Sequence, residues 1–247
     1  MEPECVEGPV RRAYRARALE RCLRPGRFIL NYKKLPYRTV WIEFPDIEPI
    51  SHELGVAPTS KWPDGSGKYT VPLIFDPNTR TAVAESIVIA RYIDDTYPDT
   101  PRVIPEGTAA LQKCVAEFVW RTINLPLARN SRMEQLKFNP ASVEYVQGVF
   151  RRRWGKKPED LYSEDNWVEI EQGFDALAGF LDFNGVGKEG SFAGEKLCFA
   201  DFEVAGHLQW IRTVSGENSE EWRRVCSWNG GRWRRFLDQF EPYMAVD

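Results

Sequence analysis

Histidine is nearly absent from this chain: only His52 and His207 occur in 247 residues. Five cysteines stand at positions 5, 22, 114, 198 and 226. That is an odd number, with no Cys-x-x-Cys pair and no metal-ligand spacing, so no metal is expected. The pattern reads as reduced thiols in an intracellular, cytoplasmic protein. No apolar run approaches the roughly 18 residues of a membrane span, so no membrane partner is expected. Charge of one sign is not in excess either. The net charge is −3, which gives no electrostatic case for nucleic acid or for an anionic membrane. The N-terminal segment lacks an apolar signal core, and its Glu2, Glu4, Glu7 and Glu20 argue against a transit peptide.

What is present is ordinary globular material. Hydrophobic residues make up 43% and charged residues 28%, in a chain long enough for one large or two modest domains. Tryptophan is the exception: nine are many for this length, and those beyond the core are available to line an aromatic pocket.

One stretch organises the rest, from Tyr69 to Tyr97. Leu73-Ile74-Phe75 is a short apolar run between Pro72 and Asp76-Pro77-Asn78, which reads as a strand and a turn. Thr81-Ala82-Val83-Ala84 reads as the second strand of a hairpin. Then the period becomes helical, with Val88 and Tyr92, and Ile89 and Ile93, four apart. Glu85-Ser86 falls at the junction. A helix start carries unpaired N–H groups and partial positive charge, so it suits a carboxylate, and a Ser hydroxyl adds one donor. Pro72 opens its strand where it need not donate to a ladder. A cis Val71–Pro72 bond would turn the Val71 backbone outward to meet an extended peptide. The same residues equally serve a plain helix cap and a plain strand start, and spacing does not choose between these readings.

This stretch resembles the glutathione-binding half-site of the glutathione transferase superfamily, where a V-P unit and an E/Q-S pair flank a hairpin. Residues Asn31 to Glu48 narrow the resemblance to the fungal etherase-related class, similar to bacterial β-etherases. The resemblance implies a thioredoxin-like N-terminal domain and an all-helical C-terminal domain, an α/β plus all-α protein. It implies glutathione as co-substrate at Val71, Pro72, Glu85 and Ser86, a small hydrophobic electrophile as second partner, and a homodimer. It leaves two functions open. One is transfer of glutathione to an aromatic electrophile, or its use in cleaving one, in fungal detoxification or secondary metabolism. The other is a catalytically impaired binding or regulatory protein.

The remainder divides into an Arg-rich segment over 1–26, a glutathione-binding domain over 27–100 and a helical domain over 101–247. Residues 1–26 read as a short helix ended by Pro25-Gly26, with no strand: Cys5-Val6 is too brief and leads into Gly8-Pro9. A helix is expected from Arg27 to Leu35, a strand from Tyr37 to Phe44 by alternation, a short helix from Asp46 to Leu54, and a loop over 56–68. That order is thioredoxin-like with its central first strand not evident.

Beyond the Pro-rich joint at 97–105 every signal is helical. A long helix is expected to end before Pro126, and further helices span Pro140 to Trp154, Trp167 to Leu181, Phe199 to Val214 and Trp222 to Phe240. Arg151-Arg152-Arg153 reads as a solvated helix end that favours the helix dipole. Cys198-Phe199-Ala200-Asp201 occupies the place of the family's S/T-x-x-D capping box, with a thiol where a hydroxyl caps better. Both residues are structural.

Catalysis requires a thiolate. The class resemblance implies a Ser near position 20, but Glu20 stands there, and no Ser, Thr or Tyr occurs from Arg15 to Asn31. Cys22, flanked by Arg21 and Arg24, is the nucleophile candidate in that region, beside the plain alternative of an incidental cysteine. Trp120, Asn124 and Trp210 are the candidates for the acceptor pocket.

Overall fold

The computed structural model describes residues 4–5, 24–130, 138–188 and 190–245. A four-stranded sheet has the order β2-β1-β5-β6, formed by β1 (Glu4–Cys5), β2 (Arg38–Thr39), β5 (Leu73–Asp76) and β6 (Thr81–Ala84). The strand that the sequence hides is therefore present. Glu4 and Cys5 pair in parallel with Arg38 and Thr39, and Glu4 pairs antiparallel with Phe75. Two residues suffice because the partner β2 is itself only two residues long. The helix expected within residues 1–26 falls largely on residues outside those described, and Pro25-Gly26 does not end a helix but stands in the first turn of the one from Arg24 to Tyr32, where a missing N–H is tolerated.

The strand expected from Tyr37 to Phe44 is cut short for a tertiary reason. Phe44 leaves the sheet and stacks on Tyr145 at 6.0 Å and edge-on to Phe138 at 5.5 Å. Glu43 accepts hydrogen bonds from Asn139 and Ser142. The helix carrying Ser142 and Tyr145, α6 (Pro140–Trp154), thus takes up the last two residues, Glu43 and Phe44, that alternation assigned to a strand. It ends at Gly155, whose φ of +67° is the left-handed conformation that a residue without Cβ adopts at least cost.

Helices α1 (Arg24–Tyr32) and α3 (Ser86–Thr96) pack together beside the sheet, and α2 (Ile47–Glu53) follows a 3-10 turn at Phe44–Asp46. Leu30, Tyr37, Ile74, Ile89 and Ile93 form their small core. Asp76 ties the hairpin to α3, accepting from the Tyr92 and Tyr97 hydroxyls at 2.7 and 2.6 Å. The expected loop over 56–68 contains a second hairpin, β3 (Ser60–Lys61) with β4 (Gly67–Lys68).

The rest is helical: α4 (Ala109–Val119), α5 (Leu125–Arg129), α6, α7 (Glu164–Asp182), α8 (Phe199–Ser215) and α9 (Glu220–Asp238), the last broken by non-helical backbone at 228–231. The helix expected to stop before Pro126 runs on. A π-turn at Trp120–Asn124 joins α4 to α5, and Pro126 sits in the first turn of α5, where a missing N–H costs little. Helix α8 is the centre of the large core: Phe199, Phe202, Val204, Ala205 and Leu208 are all fully buried.

The start of α8 is held from several directions. Phe199 N–H donates to Val103 C=O at 2.7 Å, and Ala200 N–H to Gln112 Oε1 at 2.8 Å. Asp201, fully buried, accepts from Cys198 N–H, Phe192 N–H and the Ser191 hydroxyl. Cys198 stands at the cap, and burial followed by the Asp201 charge pushes its thiol up to about 12.

Candidate functional site

The Val71–Pro72 peptide is cis. Among the described residues no hydrogen bond takes up the Val71 N–H or C=O, so both remain for an extended partner. Pro72 C=O accepts from Glu85 N–H at 3.3 Å, which closes the far end of the β5–β6 hairpin onto its beginning. Val71 and Ser86 are thereby neighbours although the hairpin separates them in sequence.

Glu85 has φ +79° and ψ 121°, a conformation that an L-residue seldom adopts. Strain of this kind costs on the order of 1–3 kcal/mol and is concentrated at functional sites. It turns the chain so that Ser86 opens α3 with its first N–H groups unpaired within the helix. Lys113 of α4 reaches the Glu85 carboxylate at 4.0 Å and Glu117 at 2.8 Å.

Helix α8 supplies an opposing wall that sequence reasoning missed. Ser86 Oγ donates to Glu203 Oε2 at 3.4 Å. His207, one turn further, hydrogen-bonds the Glu203 carbonyl through Nδ1 at 2.8 Å and the Asn124 side-chain amide through Nε2 at 2.9 Å. A carbonyl only accepts, so Nδ1 carries the proton and Nε2 accepts from Asn124. Burial pushes the Glu203 carboxyl up, with Glu85 adding to it and His207, Ser86 and Lys113 opposing. The available signal was Glu203 and His207, a polar pair four apart among the apolar residues Phe202, Val204, Ala205 and Leu208.

The structure brings Asn124 to this wall through the π-turn. Trp120, at the opening of the same turn, lies beside Arg153, whose guanidinium is 5.7 Å from its ring centroid. Trp210 packs against the helical core. Arg153 is half-buried between Trp120 and Trp154, so the basic run is not wholly a solvated helix end. Cys22 lies outside the described residues. Cys114, Cys198 and Cys226 are unbridged. No helix among the described residues is long and apolar enough to cross a membrane.

A small mixed sheet flanked by helices, a cis-proline before a hairpin, and an acidic-Ser junction at a helix start define a thioredoxin-like unit joined to a helical unit. The model of the glutathione S-transferase N-terminal domain matches residues 23–96, and that of the C-terminal domain matches residues 110–243. The chain belongs to the glutathione transferase superfamily. It is 30% identical over 227 residues to the glutathione S-transferase-like protein ustS of Aspergillus flavus, covering 84% of this chain and 78% of that protein. Glutathione transferase GSTFuA2 from Phanerochaete chrysosporium superposes with a TM-score of 0.92 at 35% identity, covering 100% of both chains. The glutathione S-transferase CsGST63524 of Ceriporiopsis subvermispora, solved in complex with glutathione, has a TM-score of 0.87 at 34% identity, covering 100% of this chain and 98% of that one.

Proposed function

We propose that this protein binds glutathione, with the cysteinyl backbone along Val71 and the γ-glutamyl end at Glu85-Ser86, and transfers it to a hydrophobic aromatic electrophile or uses it to cleave one. The observation that carries this reading is the junction itself. Free helix-start N–H groups and the Ser86 hydroxyl suit the γ-glutamyl carboxylate, and the adjacent Glu85 carboxylate suits its ammonium. The glutathione-bound relative at 34% identity supports it. The test is calorimetric titration with glutathione, followed by turnover with a panel of aromatic electrophiles and aryl ethers. Absence of glutathione binding would end this reading.

A second reading is favoured by one observation: no hydroxyl side chain occurs from Arg15 to Asn31 to stabilise the glutathione thiolate. On that reading glutathione binds and the chemistry is lost or runs through Cys22. Binding without turnover supports loss, and turnover abolished by Cys22→Ala supports the cysteine. We further place the protein in the cytoplasm as a homodimer, divided into a glutathione-binding domain to about residue 100 and a helical domain beyond it. The resemblance to the fungal etherase-related class implies a role in detoxification or secondary metabolism. Light scattering and fractionation check the assembly and the location.

A further inference from the structure

The β3–β4 hairpin and the end of α6 gather cations on indole rings. Lys68 Nζ stands 4.8 Å from the centroid of Trp62, and the Arg152 guanidinium 4.5 Å from the same ring. Arg153 stands 5.7 Å from Trp120 and 5.2 Å from Trp154. Arg152 is engaged, donating to Asp64 and Ser66. Lys68 and Arg153 have no carboxylate at ion-pair distance among the described residues. Burial brings Lys68 down to about 8, with the Arg153 charge adding to the effect, and burial lowers Arg153 too. Two like charges, partly desolvated and without an acid between them, disfavour the empty protein and favour one holding an anion.

The cluster adjoins the site already described. Lys68 precedes Val71 by three residues, roughly 10 Å of extended chain at most. Trp120 opens the π-turn that ends in Asn124, and Asn124 leads through His207 and Glu203 to Ser86. Trp120 is also 41% exposed, so part of its indole is open to a ligand.

We propose that Lys68 and Arg153 form the anion-binding part of the acceptor subsite, and that the acceptor is an aromatic carboxylic acid whose ring lies on Trp120. The inference rests on the glutathione reading above for calling that ligand the acceptor. The strand side contributes one cation and the helical side the other, so a carboxylate between them is bound by both halves of the chain. Aromatic stacking and a charge-assisted pair together select an acid over its neutral analogue.

The test is calorimetric titration with cinnamate, with its uncharged amide cinnamamide, and with glutathione. The proteins are the parent, Arg153→Met and Arg153→Lys, each checked for folding by thermal melting. In the parent, cinnamate should bind at least about tenfold more tightly than cinnamamide, the size of one charge-assisted contact. The preference should fall to within about twofold in Arg153→Met, the scale of an exposed ion pair. It should survive in part in Arg153→Lys, which keeps the charge, and glutathione affinity should be the same in all three. No preference for the acid in the parent, or a preference untouched in Arg153→Met, would overturn the proposal. So would a tenfold loss of glutathione affinity in Arg153→Met with cinnamate unaffected, since the cations would then serve the glycyl carboxylate. A parent that prefers cinnamate but binds no glutathione supports the anion subsite and ends the glutathione reading alone.

Discussion

Ser86 faces two ways. Its position opening α3 aims a donor at an incoming carboxylate, while its hydroxyl rests on Glu203 from α8. The hydroxyl has one proton, which turns from Glu203 to the ligand carboxylate on binding, so removing it should weaken glutathione binding by roughly 1–3 kcal/mol, the range for a hydrogen bond to a charged group. Calorimetry on Ser86→Ala checks it, and unchanged affinity would remove Ser86 from the site. Lys68 makes a prediction about stability. Its ammonium is held at about 8, against an ordinary value of 10.5, by burial and then by Arg153. Between those two pH values the unfolded chain keeps a proton that the folded chain has released. Stability from this group therefore rises with pH across that window, and below it the full penalty is present. Lys68→Met removes the penalty, so its melting temperature relative to the parent should be most favourable at pH 7 and decline toward pH 10. A difference that does not change with pH would show that Lys68 is not depressed.

At the scale of elements, the π-turn between α4 and α5 decides how the helical half packs. Widening the helix there brings Thr122 against α7 at Gly173. A Cβ built on Gly173 would lie 3.0 Å from the Thr122 carbonyl oxygen and 3.1 Å from Ile123 Cγ1. The oxygen belongs to a packed helix and has little room to retreat. In an exposed helix, Gly→Ala gains about 1 kcal/mol of propensity. Here the overlap should outweigh that gain and leave a net loss of about 1–2 kcal/mol. Denaturant unfolding of Gly173→Ala measures it, and a variant more stable than the parent would mean that the turn yields freely. The same turn carries Trp120 and Asn124, so a shift of α7 should also alter binding at the acceptor side. The start of α8 is built differently. Its N–H groups are taken up by Val103, Gln112 and the capping residues, so the helix is anchored by partners distant in sequence.

For the whole molecule, a buried ion pair adds to the shared apolar core in tying the sheet-bearing half to the segment that leads into the helical half. Lys33 of α1 and Asp94 of α3 meet at 2.7 Å with both side chains fully buried. Lys33 also donates to Pro101 C=O, and Asp94 accepts from Val103 N–H and Ile104 N–H. Val103 then accepts from Phe199, the first residue of α8. The pair thus holds α1, α3, the joint and the core helix in one network. Asp94→Ala strands a buried ammonium and two backbone N–H donors, and should cost about 3–5 kcal/mol. The urea midpoint of Asp94→Ala reads this directly. A loss below about 1 kcal/mol, the level of an exposed pair, would mean that water already reaches the site.

Local signals were legible in the sequence because their causes lie within a few residues. The hairpin from Leu73 to Ala84, the helix start at Ser86 and the cap with Asp201 each follow from turn chemistry, a change of period or a capping pattern. The family of the chain and its candidate peptide site rest on that same stretch. Features that depend on a distant partner were not legible. Glu4–Cys5 is a strand because Arg38–Thr39 and Phe75 lie on either side of it, and nothing in its own composition says so. Tyr37 to Phe44 alternates like a strand, yet α6 takes Phe44 and Glu43 away from the sheet. Glu203, His207 and Asn124 meet Ser86 only because α8 packs against α1 and α4, bringing a polar stripe of a core helix to the helix start. Local hydrogen bonding and side-chain period are properties of the chain. Which buried groups face one another is settled by packing, since a distant contact forms only when burial outweighs the entropy of closing the loop between its partners.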